Sequence, residues 1–337
     1  YLENFRFTGD VWAIPEGTVV FPNEPLITVR APIIQAQLLE TMLLLTTNHQ
    51  SLIATKTSRI VKEAQGRPVM EFGARRAHGI NAAVEGARAA IIGGAIGTSC
   101  TLSAKEFNVP ASGTMAHSWV QSFDSEYEAF KTYAEIYPDD CTLLIDTYNT
   151  IESGLPNAIK VFNEVLKPKG YKPKAVRLDS GDLAYLSKKV RKILDEAGYT
   201  ECKICATNSL DEYLIKSLIE QDAKIDSFGV GENLITAKSE PVFGGVYKLV
   251  GIEKDTKIIP KIKVSENVVK VTNPGFKKVY RFYDNESQKA IADVIALSDE
   301  IIDEREYMIF DPQNPWKKKL IKDYTIRELQ EKIFENG

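Results

Sequence analysis

The chain is poor in the residues that most often announce a function. Histidine occurs three times in 337 residues, so a histidine-rich metal tract is excluded and each histidine needs its own account. Four cysteines are present, Cys100, Cys141, Cys202 and Cys205. That is too few for a disulfide framework in a chain this size, and a reducing, cytoplasmic setting is expected. No apolar run approaches the roughly 20 residues a membrane span requires, and nothing at the start reads as a secretory signal. Neither sign of charge dominates: 42 Lys+Arg against 46 Asp+Glu leave a net charge of −4. Without a basic field, no nucleic-acid partner is expected, and no membrane partner either. Cys202 and Cys205 form a Cys-x-x-Cys, but no second pair accompanies it and no helix start follows it. Zinc or redox chemistry asks for one or the other, so plain core thiols are expected. The chain opens on Tyr1 rather than Met, and residues upstream are expected.

What is present is ordinary globular material, 44% hydrophobic and 26% charged, in a strongly patterned order. Residues 7–30 alternate short β-like runs with Pro-Glu-Gly and Pro-Asn-Glu-Pro turns. A long helical stretch follows, from "PIIQAQLLE" to "VKEAQG". From residue 68 a rhythm begins. The apolar runs "PVMEF", "AAIIGG", "NVPAS", "CTLLID", "KAVRL", "KICAT" and "IDSFGV" each stop at a small or polar residue and give way to a helix-like stretch. Their ends fall 18 to 34 residues apart, around the roughly 30 of a βα unit. Apolar runs bounded by turns suit strands buried on both faces, as in a parallel sheet. Beyond about residue 240 the rhythm gives way to hairpin-like strands, "PVFGGVYKLVGIE", "KIIPKIKVS", "NVVKVTNPGFKKVYRFYD" and "ADVIALSD". A closing helix, "TIRELQEKIFENG", is expected with Thr325 as its N-cap. The fold implied is α/β: an irregular α/β barrel of about seven parallel strands, with a smaller α+β domain built from both chain ends. The expected divisions are 1–66, 67–240 and 241–337.

In parallel α/β folds the working residues lie at the carboxyl ends of strands. The first run is followed by Arg75 and Arg76, the second by Thr98 and Ser99, the third by Thr114, His117 and Ser118. The fourth ends on Asp146. Around the fifth stand Arg177, Asp179, Ser180, Gly181 and Asp182. The sixth gives Thr207, Asn208 and Ser209, the seventh Gly229 and Gly231. Arginine forks suit phosphate and carboxylate, glycine turns ahead of helices leave N–H groups free for an anion, and carboxylates hold Mg²⁺ or sugar hydroxyls. The inventory fits a phosphorylated substrate with a metal. Bland readings stand beside each residue. Arg75 and Arg76 are compatible with surface ion pairs, Asp146 with a helix N-cap, and Asp179 to Asp182 with a turn plus cap. His49 and His78 read as incidental. His117 is either a capping histidine or a nucleophile or acid/base, with Asp146 as the candidate partner for its second nitrogen.

Four stretches in this order and spacing, "EFGARRAHG", "GTMAHSWV", "VRLDSGDL" and "FGVGENLIT", resemble the nicotinate phosphoribosyltransferase family, a type II phosphoribosyltransferase. The resemblance runs from about residue 7 to the end. It implies an enzyme that joins nicotinate to 5-phosphoribosyl-1-pyrophosphate (PRPP), giving nicotinate mononucleotide and pyrophosphate in NAD biosynthesis. It also implies Mg²⁺, ATP as a co-substrate acting through a phosphohistidine, and a homodimer with shared sites. The family's N-terminal segment, which carries an aromatic into the neighbouring subunit's site, would precede Tyr1. By the same resemblance His117 is the phosphoryl acceptor, Arg75 lies near the pyridine and pyrophosphate groups, and Phe72 stacks on the pyridine. Arg177 and Asp179 hold the phosphoribosyl group, and Gly229 and Gly231 form the phosphate turn. Thr114, Ser118 and Asn208, from the strand-end inventory, are expected as further substrate contacts, and Gly181 as a further phosphate-binding position. Ser99 stands where the similar nicotinamide-specific enzyme has an aspartate, and a neutral serine avoids repelling the nicotinate carboxylate. Glu232 departs from the small or hydroxyl residue expected after Gly231; an acid there has to face a metal or solvent. The alternatives are the same chemistry on nicotinamide, and a barrel that binds nucleotides without turning them over.

Overall fold

The computed structural model describes residues 2–264 and 271–337. They form two compact units, one of residues 2–45 with 245–264 and 271–337 and one of residues 46–244. The chain begins with β1 (Asp10–Ala13) and β2 (Ile27–Arg30), an antiparallel pair, and the 31-residue helix α1 (Ile33–Glu63). The expected division at residue 66 differs from this: the second unit already starts within α1.

The second unit is built on six parallel strands: β3 (Val69–Glu71), β4 (Gly97–Thr98), β5 (Thr142–Leu144), β6 (Ala175–Leu178), β7 (Lys203–Ala206) and β8 (Ser227–Val230). They lie in the order β4-β3-β8-β7-β6-β5. First strand beside last is the pairing that closes a barrel, here over one half of the ring. Strands buried on both faces read as continuous apolar runs, and Leu143, Leu144, Val176, Leu178, Ile204, Phe228 and Val230 are wholly or almost wholly buried. Helices follow the strands: α2 (Ile80–Ile92), α3 (Thr101–Phe107), α4 (His117–Gln121), α5 (Glu126–Ile136), α6 (Leu155–Val161), α7 (Leu183–Glu196), α8 (Glu212–Glu220) and α9 (Glu232–Ile235). Side-chain oxygens of Ser125, Asp182 and Asp211 cap α5, α7 and α8 by accepting N–H groups three residues on.

Two of the seven expected strands are corrected. "AAIIGG" is the end of α2, and the strand comes just after it at Gly97–Thr98; a short apolar run suits a buried helix as well as a strand. "NVPAS" forms no strand, only a parallel bridge from Ala111 to Thr98. Pro110 inside that run has no N–H to give a ladder.

The first unit continues with β9 (Gly251–Lys254), β10 (Lys257–Pro260), β11 (Lys277–Asp284), β12 (Ala290–Leu297), β13 (Glu306–Asp311), β14 (Asn314–Lys322), β15 (Tyr324–Glu328) and β16 (Glu331–Phe334). They pair antiparallel. Part of the expected strands over 257–284 lies at 265–270, outside the described residues. The expected C-terminal helix is overturned. Thr325 sits inside β15 rather than at a cap, with Ile326 opposite Phe282, while β16 pairs with β1. Free strand edges on β11 and β1 offer hydrogen bonds that override local helical preference.

Candidate active site

The exits of β5 and β6 are tied together by one carboxylate. Asp146 ends the β5 run with its side chain only 1% exposed. Its Oδ2 accepts the Asp179 N–H at 2.7 Å and the Ser180 hydroxyl at 2.6 Å. It is therefore not a helix cap but the buried anchor of the "LDSGD" loop. Its other oxygen, Oδ1, is buried and has no hydrogen-bond partner. Gly181 takes φ +78, a left-handed turn that glycine adopts freely, and Asp182 then caps α7.

Arg177 points out of β6 beside that loop. Its guanidinium donates to the Thr114 hydroxyl at 2.7 Å, the Thr207 hydroxyl at 2.9 Å and Asp179 Oδ1 at 3.0 Å. The exits of β6 and β7 and the loop leading into α4 thus meet on one planar fork. Burial pushes the Asp179 carboxyl up, but the Thr207 hydroxyl, the Arg177 charge and the His117 imidazole together hold it below the ordinary carboxylate value.

His117 is the first residue of α4. Nε2 lies 3.4 Å from Asp179 Oδ2 and 3.9 Å from Asp146 Oδ1. Nδ1 lies 3.1 Å from the Thr147 hydroxyl. Asp146, expected at the second nitrogen of the imidazole, faces Nε2, where Asp179 lies nearer, and Thr147 meets Nδ1. The side chain is 38% exposed, so it is open to a substrate. A cavity of about 340 Å³ opens beside the loop into α4, lined by Gly113 to Ala116, Trp119, Tyr133 and Tyr137.

The opposite strand exits carry a second group. Phe72 follows β3 and donates its N–H to Val230 O at 2.8 Å. A Cβ on Gly229 would come within 2.5 Å of the Phe72 ring, so Gly229 makes room for that ring. Gly231 precedes α9, and Glu232 within α9 faces Arg76 at 3.7 Å. The departure from the family pattern at Glu232 thus has a cationic neighbour. Arg75 and Arg76 stand exposed on a single helical turn, and Ser99 is exposed with its N–H on Glu71 O at 2.9 Å. Asn208 and Ser209 take φ +94 and +47. That backbone is costly for non-glycine residues and is held by the Asn233 amide donating to Ser209 O at 2.7 Å. Ser118 is exposed on α4.

Three family models match: the nicotinate phosphoribosyltransferase N-terminal domain over 1–48, the family's central model over 68–286 and its C-terminal domain over 276–337. The chain belongs to the nicotinate phosphoribosyltransferase family. A Bacillus subtilis nicotinate phosphoribosyltransferase is 48% identical over 365 residues, covering 100% of this chain and 74% of that protein. A Mycobacterium tuberculosis relative of the same name is 47% identical over 83% of this chain and 58% of its own length. The crystal structure of human nicotinic acid phosphoribosyltransferase superposes with a TM-score of 0.83 at 25% identity, covering 98% of this chain and 72% of that one. The chain thus spans from somewhat over half to about three quarters of these relatives' lengths.

Within this nicotinate phosphoribosyltransferase fold, the sequence pattern missed some of the working contacts. Thr147 adjoins Asp146, three residues past the end of β5, and was not read. Thr207 was read at the exit of β7, but without a role. Asn233 and Glu71, both buried, carried no mark. The Cys-x-x-Cys thiols are free and buried, with burial pushing Cys202 up to about 12 and Cys205 up as well. Among the described residues no group of three or more His, Cys, Asp or Glu side chains is placed to hold a metal.

Proposed function

We propose that the strand exits bind nicotinate and PRPP and transfer the phosphoribosyl group to the pyridine nitrogen, with turnover coupled to ATP through His117. The convergence of His117, Asp146, Asp179 and Arg177 carries this reading. Phe72 supplies a face for the pyridine ring, with Arg75 and the neutral Ser99 for its carboxylate. The Gly231 turn and Gly181 supply backbone for phosphates. Nicotinate is a modest nucleophile, so alignment and neutralisation of the leaving pyrophosphate supply most of the acceleration.

The two carboxylates on Nε2 favour a proton there, which leaves the lone pair on Nδ1. Phosphorylation at Nδ1 would bring about −1.5 to −2 of charge to the Thr147 side of the imidazole, where Asp179 and Asp146 repel it across the ring, by analogy with other phosphorylated side chains. That repulsion would move the "LDSGD" loop, because Asp146 ties the loop's backbone to the same cluster. Mg²⁺ fits this donor set: Asp146, through its unpartnered oxygen, and Asp179 would hold it, and it would supply charge to neutralise the departing pyrophosphate. The active form is read as a cytoplasmic homodimer with shared sites, in keeping with the family.

Incubation of the protein with ATP should give one acid-labile, base-stable phosphate, absent from His117→Ala. A wild-type chain that gains no phosphate while still forming nicotinate mononucleotide would sink the coupled mechanism and leave the transfer intact.

A further inference from the structure

Glu71 ends β3, one residue before Phe72, and is completely buried. The reaction proposed above makes no use of it. A carboxyl withdrawn from water is costly unless its oxygens are engaged. Here both are. One accepts the Gly73 N–H, and the other accepts the Thr98 hydroxyl at 2.6 Å. The Thr98 oxygen in turn accepts the Cys100 N–H at 2.9 Å. The backbone carbonyl of Glu71 takes the Ser99 N–H at 2.9 Å.

Those contacts join two different turns. One carries Phe72 and Arg75; the other carries Ser99. A third is drawn in through Gly73, where a Cβ would come within 2.6 Å of the Ile235 side chain and 2.7 Å of the Gly231 carbonyl. The Gly73 backbone is therefore wedged against the phosphate turn while its N–H is held by Glu71. Burial pushes the Glu71 carboxyl above the ordinary value despite the Thr98 and Gly73 hydrogen bonds, which pull it down. Removing either partner would leave a buried oxygen unsatisfied.

We infer that Glu71 is a positioning residue for the nicotinate subsite: acting through Gly73 and Thr98, it sets the spacing between the Phe72–Arg75 turn and Ser99 without touching the substrate. The inference rests on the nicotinate reading above. Its physical content is that a slot for a flat, charged ring loses much of its grip when one wall shifts by a fraction of an ångström, since misplacement on the scale of 1 Å costs up to about 10²-fold.

Steady-state kinetics on the full chain test it. Thr98→Val keeps the shape and removes only the hydroxyl link. Glu71→Ala removes both contacts. Glu71→Gln keeps an acceptor for Gly73 and turns an amide donor toward Thr98. Thr98→Val and Glu71→Ala should raise KM for nicotinate about tenfold, with KM for PRPP changed less than about twofold. Glu71→Gln should recover most of the loss. Equal rises in both KM values, a fall in kcat alone, or a Thr98→Val enzyme that matches wild type overturns the inference. If Glu71→Ala does not fold, Thr98→Val decides. A wild-type chain that makes no nicotinate mononucleotide ends the functional reading; an active wild type with a silent Thr98→Val ends only this one.

Discussion

In the barrel unit Phe130, Phe162 and Phe228 are wholly buried within one continuous apolar cluster, whereas the second cluster, in the unit built from both chain ends, has a buried core of Phe282, Ile321 and Tyr324 alone. The polar contents differ just as much. Glu71, Thr98, Asp146, Thr207 and Asn233 are buried at the barrel's strand exits, and Lys56 pairs with Glu212 among its helices. The end-built unit instead holds one nearly enclosed ion pair, Arg281 to Asp293, with two hydrogen bonds of 2.7 Å. A large apolar core supplies enough stability to keep costly polar groups dry and aimed. A small one leans on strand ladders and on ion pairs such as Arg281–Asp293 and Lys278–Glu328. The chemistry is accordingly concentrated where the core is thickest.

The strongest way to sharpen that contrast is to change one aimed group and leave the core alone. Asp179→Asn keeps the shape but removes the charge that faces Arg177 and His117. It should lower kcat/KM about 10³-fold, equivalent to about 4 kcal/mol of transition-state stabilisation, while the thermal midpoint moves little. A large fall in the midpoint, with activity lost in proportion, would mean that the cluster holds the barrel together rather than serving the reaction.

The next test acts on the cores themselves. Phe228→Ala should cost about 3–5 kcal/mol, because its surroundings are too tightly packed to collapse into the space. Phe282→Ala should fall near the lower end, about 3 kcal/mol, since the half-exposed Tyr280, Ala292 and Val294 around it can close over the gap. Urea titrations can follow each unit separately, because Trp119 reports on the barrel unit and Trp12 and Trp316 on the other. If Phe282→Ala proves the more damaging, the small cluster is the tighter of the two and the contrast fails.

The same contrast explains what was legible in the sequence. The βα rhythm showed through because a strand buried on both faces leaves an unbroken apolar run, as in "TLLI". It failed at "AAIIGG" because a buried helix end leaves the same trace. In "TIRELQEKIF", Ile326, Leu329 and Ile333 have helical spacing, and only the free edges of β11 and β1, far away in sequence, decide otherwise. At the site, Arg177, Asp179, Asp146 and His117 were readable as polar residues ending apolar runs. Which imidazole nitrogen faces which oxygen was not, because that depends on how the β5 and β6 exits tilt toward α4. Glu71 was hidden for a related reason. An acid inside an apolar strand looks like a surface position until its partners, Gly73 and Thr98, are seen together.

The smallest expected effect lies in the charge network of the end-built unit, and it is a matter of pH. Burial pushes the Glu24 carboxyl up to about 7, helped by its hydrogen bond with Asp293 and opposed by the Phe21 N–H and the Arg281 charge. Burial acts on Asp293 too, but Arg281 and Glu24 hold it below the ordinary value. Glu24 is therefore the member of the pair that keeps the proton. Between the ordinary glutamate value of 4.5 and about 7 the folded chain binds more protons than the unfolded one. Stability of this unit must then fall as pH rises through that window. Glu24→Gln mimics the protonated form and should flatten the slope. Urea midpoints of Trp119→Phe, read at pH 5, 6, 7 and 8 with and without Glu24→Gln, make the comparison, because the remaining tryptophans belong to this unit alone. Parallel slopes for the two chains would show that Glu24 gives up its proton as readily in the folded unit as in the unfolded chain.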